Sequence, residues 1–324
     1  MDHPQVSVLM PVYNAERYLA GSVESILSQS FSDFEFLIFD DGSTDRSLDI
    51  LQAYSKQDAR IRVFPRPHLG YVPWLNEGIR IARGEFIARM DADDLAMPDR
   101  FACQVKYLDE NPSCVAVGCD CLAIDPDGAD LHRIGYDRNH KLDEDSLLNG
   151  ESEGLAHPTA MLRREALVTI GGYREQYQYL EDYDLWFRLV EKGHLGLIPK
   201  VLLKHRLHCN SVSHGKAEQQ KEMIDVIITE HRMRRGLRPL PYSAWRYETP
   251  ATPIEAHRWW GNLAAANGYY RTALKHATIS LQEAPLSPIS WFALCVSVCP
   301  RILRRLLKTT LMWVGLWNES RKQR

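Results

Sequence analysis

Four short β-branched or aromatic runs, separated by helical stripes, constrain this chain more than any other feature. "VSVLM" (6–10), "EFLIFD" (35–40), "IRVFP" (61–65) and "GEFIARM" (84–90) each lead into turn chemistry. Between the first two runs, Tyr18, Leu19, Val23, Ile26 and Leu27 recur at helical spacing. Leu75, Ile79 and Ala82 form a similar stripe between the last two. Strands alternating with helices of ten to fifteen residues predict an α/β fold, a mainly parallel sheet with helices on both faces.

In such sheets ligands collect beyond the carboxyl ends of the strands. The notable polar groups fall there: Tyr13 after the first strand, Asp40 and Asp41 after the second, Asp91 and Asp93 after the fourth. Neither a G-x-G-x-x-G loop nor a Walker lysine loop is present, which excludes the commonest phosphate cradles. A formal net charge of −3 gives no global pull towards nucleic acid. With 45% hydrophobic and 25% charged residues over 324 positions, a substantial core is available. The seven cysteines show no paired CxxC spacing, so a structural zinc site is not expected, and Cys119 and Cys121 read as buried thiols. "MDHPQVSVLMPVYN" lacks the basic-then-apolar plan of a signal peptide, and the expectation is a reduced, cytoplasmic compartment.

Further along, "CVAVGCDCLAI" reads as a strand and 125–139 as a polar loop. "HPTAMLRREAL" reads as a strand entering a helix, and "EDYDLWFRLVEKG" (181–193) as a helix closed by Gly193. Leu185, Trp186 and Leu189 make its inward face. Beyond Ser213 the chain turns helical and basic, with proline-rich breaks at 239–241 and 250–253. These changes predict a domain over 1–215 and a smaller α-helical region over 216–324.

The cluster "MDADD" admits two readings. Side chains two apart in an extended segment point the same way, so Asp91 and Asp93 can face one cation that also carries a diphosphate. Equally, a charged turn can cap the helix expected to start at Pro98, with Asp94 or Asp99 at its N-terminus. "FDDGSTDRS" has the same ambiguity. Capping explains Ser43, Thr44 and Asp45, but not two adjacent acids ending an apolar strand.

Taken together, "VSVLMPVYNAERYLAGSVESILSQSFSDFEFLIFDDGSTD", "LNEGIRIARGEFIARMDADD" and "GGYREQYQYLEDYDLWFRL" resemble the family 2 glycosyltransferases of the GT-A fold. The resemblance covers roughly residues 5 to 213 in the family's order and spacing. It implies that Pro11 and Tyr13 line the nucleoside pocket and that Asp41 holds the base. It places Asp91 of the DXD motif near ribose or metal-bound water and makes Asp93 the direct ligand of Mg²⁺ or Mn²⁺. Asp182 matches the family's general base, and His208 in "RLHCNSVS" resembles the residue that joins the metal or diphosphate. The loop "RPHLGY" departs from the family pattern, which often carries Asn before its first Gly; His68 or Arg66 is the substitute this chain offers. A helix N-terminus favours the ionised form of an acid such as Asp182.

The resemblance therefore implies a metal-dependent, inverting transferase. It moves a sugar from a nucleotide-diphosphate donor, UDP-linked by preference, to a glycan or lipid-linked acceptor in surface polysaccharide synthesis. A nucleotidyltransferase and a catalytically idle nucleotide-sugar-binding scaffold are the alternatives. At the C-terminal end, 255–284 reads as two helices joined near Gly268. Over 301–317, Arg301, Arg304, Arg305 and Lys308 share one face, while Leu303, Leu306, Leu307, Val314 and Trp317 take the other. That composition suits a helix lying on the cytoplasmic face of a membrane.

Overall fold

A computed structural model describes residues 3–135, 142–209, 211, 217–240, 250 and 252–298. The segment 301–317 lies outside the described residues. The chain divides into two compact units, 1–123 with 133–248, and 124–132 with 249–324.

In the first unit the four expected strands are β1 (Val6–Val12), β2 (Phe34–Asp40), β3 (Ile61–Pro65) and β4 (Phe86–Arg89). They lie in the order β3-β2-β1-β4, all parallel. The helices between them are α1 (Leu19–Leu27), α2 (Ser47–Ser55) and α3 (Tyr71–Ile81). On β1 the period-2 alternation sends Val6, Val8 and Met10 into a core shared with Leu19, Val23 and Ile26 of α1. Leu9 points the other way, into a core with Val72, Leu75 and Ile79 of α3. Burial on both faces explains why these strands read as nearly continuous apolar runs.

Beyond β4 the sheet turns antiparallel. The two-residue strand β5 (Leu95–Ala96) is followed by helix α4 (Arg100–Glu110), and then by β6 (Cys114–Ile124) and β7 (Asp130–Ile134). A short helix α5 (Glu144–Leu148) precedes β8 (Met161–Arg163), which runs into α6 (Arg164–Thr169). Then come α7 (Glu181–Leu189) and the long strand β9 (His194–Arg206). β8 pairs with β4 and β6, and β5 with β9, all antiparallel. The polar loop expected over 125–139 thus contains a strand. The 181–193 helix stops at Leu189, so Gly193 does not end it; a Cβ on Gly193 would lie 2.4 Å from the Ser113 carbonyl oxygen, a close approach of the segments that lead into β9 and β6.

The boundary expected at 215 falls outside the described residues. Helix α8 (Ala217–Arg234), assigned by sequence to the C-terminal region, belongs to the first unit, where Ile224, Ile227 and Ile228 join the α3 and α7 core. The second unit contains α9 (Pro253–Asn267), α10 (Tyr270–Glu283) and α11 (Pro288–Val298). Gly268, expected at the first joint, has φ +88° and closes α9 in the left-handed conformation. Asp125 ties 124–132 to these helices, accepting from Lys275 Nζ at 2.6 Å with His276 Nε2 at 3.0 Å. Among the described residues no helix is long and apolar enough to cross a membrane.

Candidate active site

The parallel strands deliver their polar ends to one edge. Asp41 follows β2 and is almost wholly buried. Its Oδ1 accepts from Leu69 N at 2.9 Å and Trp74 Nε1 at 2.6 Å. Its Oδ2 accepts from Gly70 N at 3.1 Å and His68 Nδ1 at 2.9 Å. Gly42, at φ +72°, lets this loop approach: a Cβ there would meet His68 N at 3.0 Å. Pro11 is buried within β1, and Tyr13 just past it is half exposed and stacks on the His68 ring. Of the two loop candidates, Arg66 is engaged by Glu77, at 2.5 and 3.0 Å, so His68 is the one that lies against Tyr13 and Asp41.

Asp91 follows β4, and Arg89 two residues earlier bonds it at 2.6 Å from Nη2 to Oδ1. Arg89 is held in turn: buried Arg100 donates from Nη2 to the Arg89 carbonyl at 2.7 Å. Burial works to raise the Asp91 carboxyl, but Arg89, His157 and His205 outweigh it and hold the group below its usual range. The repulsion latent in "MDADD" is thus relieved by cations that the chain itself supplies.

Asp93 and His208, 115 residues apart in sequence, meet at 2.8 Å between Oδ2 and Nε2. Asp94 corrects the sequence reading. It does not begin α4, whose N-cap is Asp99. It is completely buried, accepting from Arg206 N at 2.8 Å and facing His205 Nδ1 at 3.2 Å. Burial opposes the His205 charge, but Asp94 overcomes it and lifts the imidazole to about 9. The third acid therefore fastens the strand end to β9, which carries His208 into place beside Asp93. Nor does side-chain capping open α2: its N-cap, Arg46, makes no such bond, although Asp45 Oδ1 accepts from Ser47 N at 2.9 Å.

At the head of α7, Glu181 and Asp182 separate in role. Glu181 is buried and accepts from Tyr71 Oη at 2.9 Å, with His157 Nδ1 at 3.5 Å. Asp182 is partly buried and bonds only its neighbour's amide, Tyr183 N at 2.8 Å, among the contacts resolved for its side chain. Burial raises the Asp182 carboxyl to about 6; Glu181 adds to this, while His157 and the Tyr183 amide oppose it. Asp184 is a structural acid, completely buried between Arg174, Arg188 and His231. Trp186 is core, as expected.

Sequence reasoning missed Arg89 and the Glu181–His157–Tyr71 group, and it offered His68 as a loop candidate without its partners Tyr13 and Asp41. The first had a signal, since Arg89 and Asp91 lie two apart in an extended segment and share a side. The others join residues far apart in sequence and leave no local pattern.

The family model described as glycosyl transferase family 2 matches residues 7–171. An uncharacterized glycosyltransferase of Haemophilus influenzae is 32% identical over 236 residues, covering 70% of this chain and 73% of that protein. A chondroitin synthase of Escherichia coli is 31% identical over 240 residues, covering 74% of this chain and 34% of the synthase. Among solved structures, Staphylococcus aureus TarS 1–349 in complex with UDP superposes with a TM-score of 0.56 at 15% identity, covering 96% of this chain and 92% of TarS. The mannosyltransferase PcManGT of Pyrobaculum calidifontis, in complex with GDP-Man and Mn²⁺, gives 0.55 at 18% identity, covering 96% and 88%. At these identities the two structures speak for the fold.

Proposed function

The chain belongs to glycosyl transferase family 2, and from that membership we propose a metal-dependent, inverting enzyme. It transfers a sugar from a nucleotide-diphosphate donor, UDP-linked by preference, to a hydroxyl of a glycan or lipid-linked acceptor. The similarity to a chondroitin synthase supports a polysaccharide product. TarS with UDP and PcManGT with GDP-Man support a nucleotide-sugar donor.

The observation that carries the reading is the division of labour between two acidic ends, Asp91 and Asp93 beyond β4 and Asp182 at the head of α7. Mg²⁺ or Mn²⁺ fits the donor set of Asp93 and His208, a carboxylate oxygen and an imidazole nitrogen turned towards each other at 2.8 Å. Among the described residues no group of three or more such side chains converges. Two protein ligands suit an ion whose remaining places go to diphosphate and water. Bound there, the ion supplies positive charge to the departing diphosphate. Asp91, with its charge kept by Arg89, orients the ribose, while Pro11, Tyr13 and Asp41 take the nucleoside.

Asp182 accepts the acceptor hydroxyl's proton as that oxygen attacks the anomeric carbon, and the bond to the diphosphate breaks. A carboxyl at about 6 is ionised at neutral pH yet more basic than an exposed aspartate. Glu181 cannot readily compete, because Tyr71 and His157 face its oxygens. Replacing Asp182 by Asn should reduce transfer at least ~10³-fold, since the proton then has no acceptor, while the Kd for UDP stays within about twofold. Transfer at the parent rate in that variant would remove Asp182 from the role. We place the enzyme at the cytoplasmic face of a membrane, held peripherally through 301–317.

A further inference from the structure

The Asp41 carboxylate carries one donor more than its proposed task allows. An ionised carboxylate has about four lone-pair directions and can only accept. All four are taken: Leu69 N and Trp74 Nε1 on Oδ1, Gly70 N and His68 Nδ1 on Oδ2. A base N–H can reach Asp41 only if one donor leaves. Two of the four are backbone amides and the third is the indole of Trp74, which is 8% exposed. The fourth belongs to a side chain that is 56% exposed.

That side chain also does what a base would do. The His68 ring stacks on Tyr13 with centroids 4.1 Å apart and planes 18° from parallel. It is a flat heteroaromatic ring, stacked on the residue that lines the nucleoside pocket, giving an N–H to the acid that holds the base. Its Nδ1 also lies 3.1 Å from the Asp41 carbonyl oxygen, so the ring is fixed at its edge as well as its face.

We infer that the His68 imidazole is a stand-in for the donor's nucleobase, and that donor binding exchanges one ring for the other. The inference rests on the proposed roles of Tyr13 and Asp41. The exchange costs the pocket little, because the base restores both the stack and the fourth hydrogen bond that His68 gives up. The other three donors keep Asp41 in place throughout. His68 belongs to the loop that leads into Tyr71, whose hydroxyl bonds Glu181 beside the base Asp182. Expulsion of His68 therefore acts on a segment that touches both the nucleoside pocket and the catalytic helix. His68 competes for the pocket instead of building its wall, and it lowers donor affinity by the fraction of time it occupies the place.

Titration calorimetry with UDP, and with GDP as a second probe, in the presence of Mn²⁺, tests this on the full chain. If His68 holds the place about two-thirds of the time, His68→Ala tightens nucleotide binding about threefold. Tyr13→Ala and Asp41→Asn weaken it. His68→Asn, which keeps a donor but loses the ring, falls between the parent and the alanine variant. Equal or weaker binding by His68→Ala, with Tyr13→Ala and Asp41→Asn still weakened, overturns the stand-in and leaves the pocket reading intact. No binding of either nucleotide by the parent, or no effect of Tyr13→Ala and Asp41→Asn, overturns the pocket reading and this inference with it. A second measurement needs no variant: carbethoxylation of His68 in the parent, read by peptide mass spectrometry. Saturating nucleotide should raise it as the ring is driven out, and protection of His68 would contradict the exchange.

Discussion

At the scale of single residues, the chemistry depends on how unequally this chain treats its acids. Asp91 and Asp94 meet cations, Arg89 for the first and His205 for the second. Asp182 meets none at bonding distance and is raised to about 6 by burial. Since the proposed base works only when unprotonated, acid removes activity. The prediction is that kcat/KM is level above about pH 6 and falls about tenfold per unit below it. A profile flat to pH 5 would show that another group takes the proton. The sequence offered Asp91, Asp93, Asp182 and His208 as candidates because the spacing of a known family links them. It misled at Asp94, because an acid next to a helix start looks like a cap. Its real partners, His205 and Arg206, lie 111 and 112 residues away. His68 was legible only as a departure from pattern; its stacking on Tyr13 needed coordinates.

At the scale of elements, the site is a set of ends: β1, β2 and β4, the start of α7 and the end of β9. The parallel strands were readable from their apolar runs, and α3 from its stripe, because both faces of the sheet are covered. β9 runs for thirteen residues through Pro199 without a break, a length that no short apolar run in the sequence marks out. What fixes α7 is Asp184, completely buried against Arg174, Arg188 and His231. Burial alone would raise that carboxyl, but His231 and the two arginines outweigh it and hold the group at about 2. Its folded-state pKa is depressed, so its contribution is present above the ordinary carboxylate range and is lost as pH falls towards about 2. Replacing Asp184 by Asn leaves buried cations without their counter-charge, which costs on the order of 3 kcal/mol. For a unit of this size that corresponds to a Tm lowered by about 10 °C. A scanning-calorimetry shift under about 2 °C would mean the ion pairs contribute little to holding α7.

At the scale of the whole molecule, the chain joins a catalytic unit to a helical one. The sequence reading put a boundary at 215 and helix 217–234 beyond it, whereas that helix groups with the first unit; a basic, helical composition looks the same on either side of a boundary. That helix packs its isoleucines on the core that supports α7, so it helps hold the site. The basic and apolar residues at helical spacing in the sequence of 301–317 carry the membrane proposal. Flotation with vesicles containing acidic phospholipid should carry the full chain upward and leave a chain ending at residue 299 behind. Equal flotation of the two would place the contact elsewhere.

In the proposed reaction a sugar is transferred, a nucleoside diphosphate departs, and Asp182 is the base. This is tested most directly by incubating the full chain and its Asp182→Asn variant with nucleotide sugars and Mn²⁺, and separating the released nucleotides by chromatography. Nucleoside diphosphate is expected from the parent and almost none from the variant. Release of pyrophosphate, or equal release by the two proteins, would contradict it.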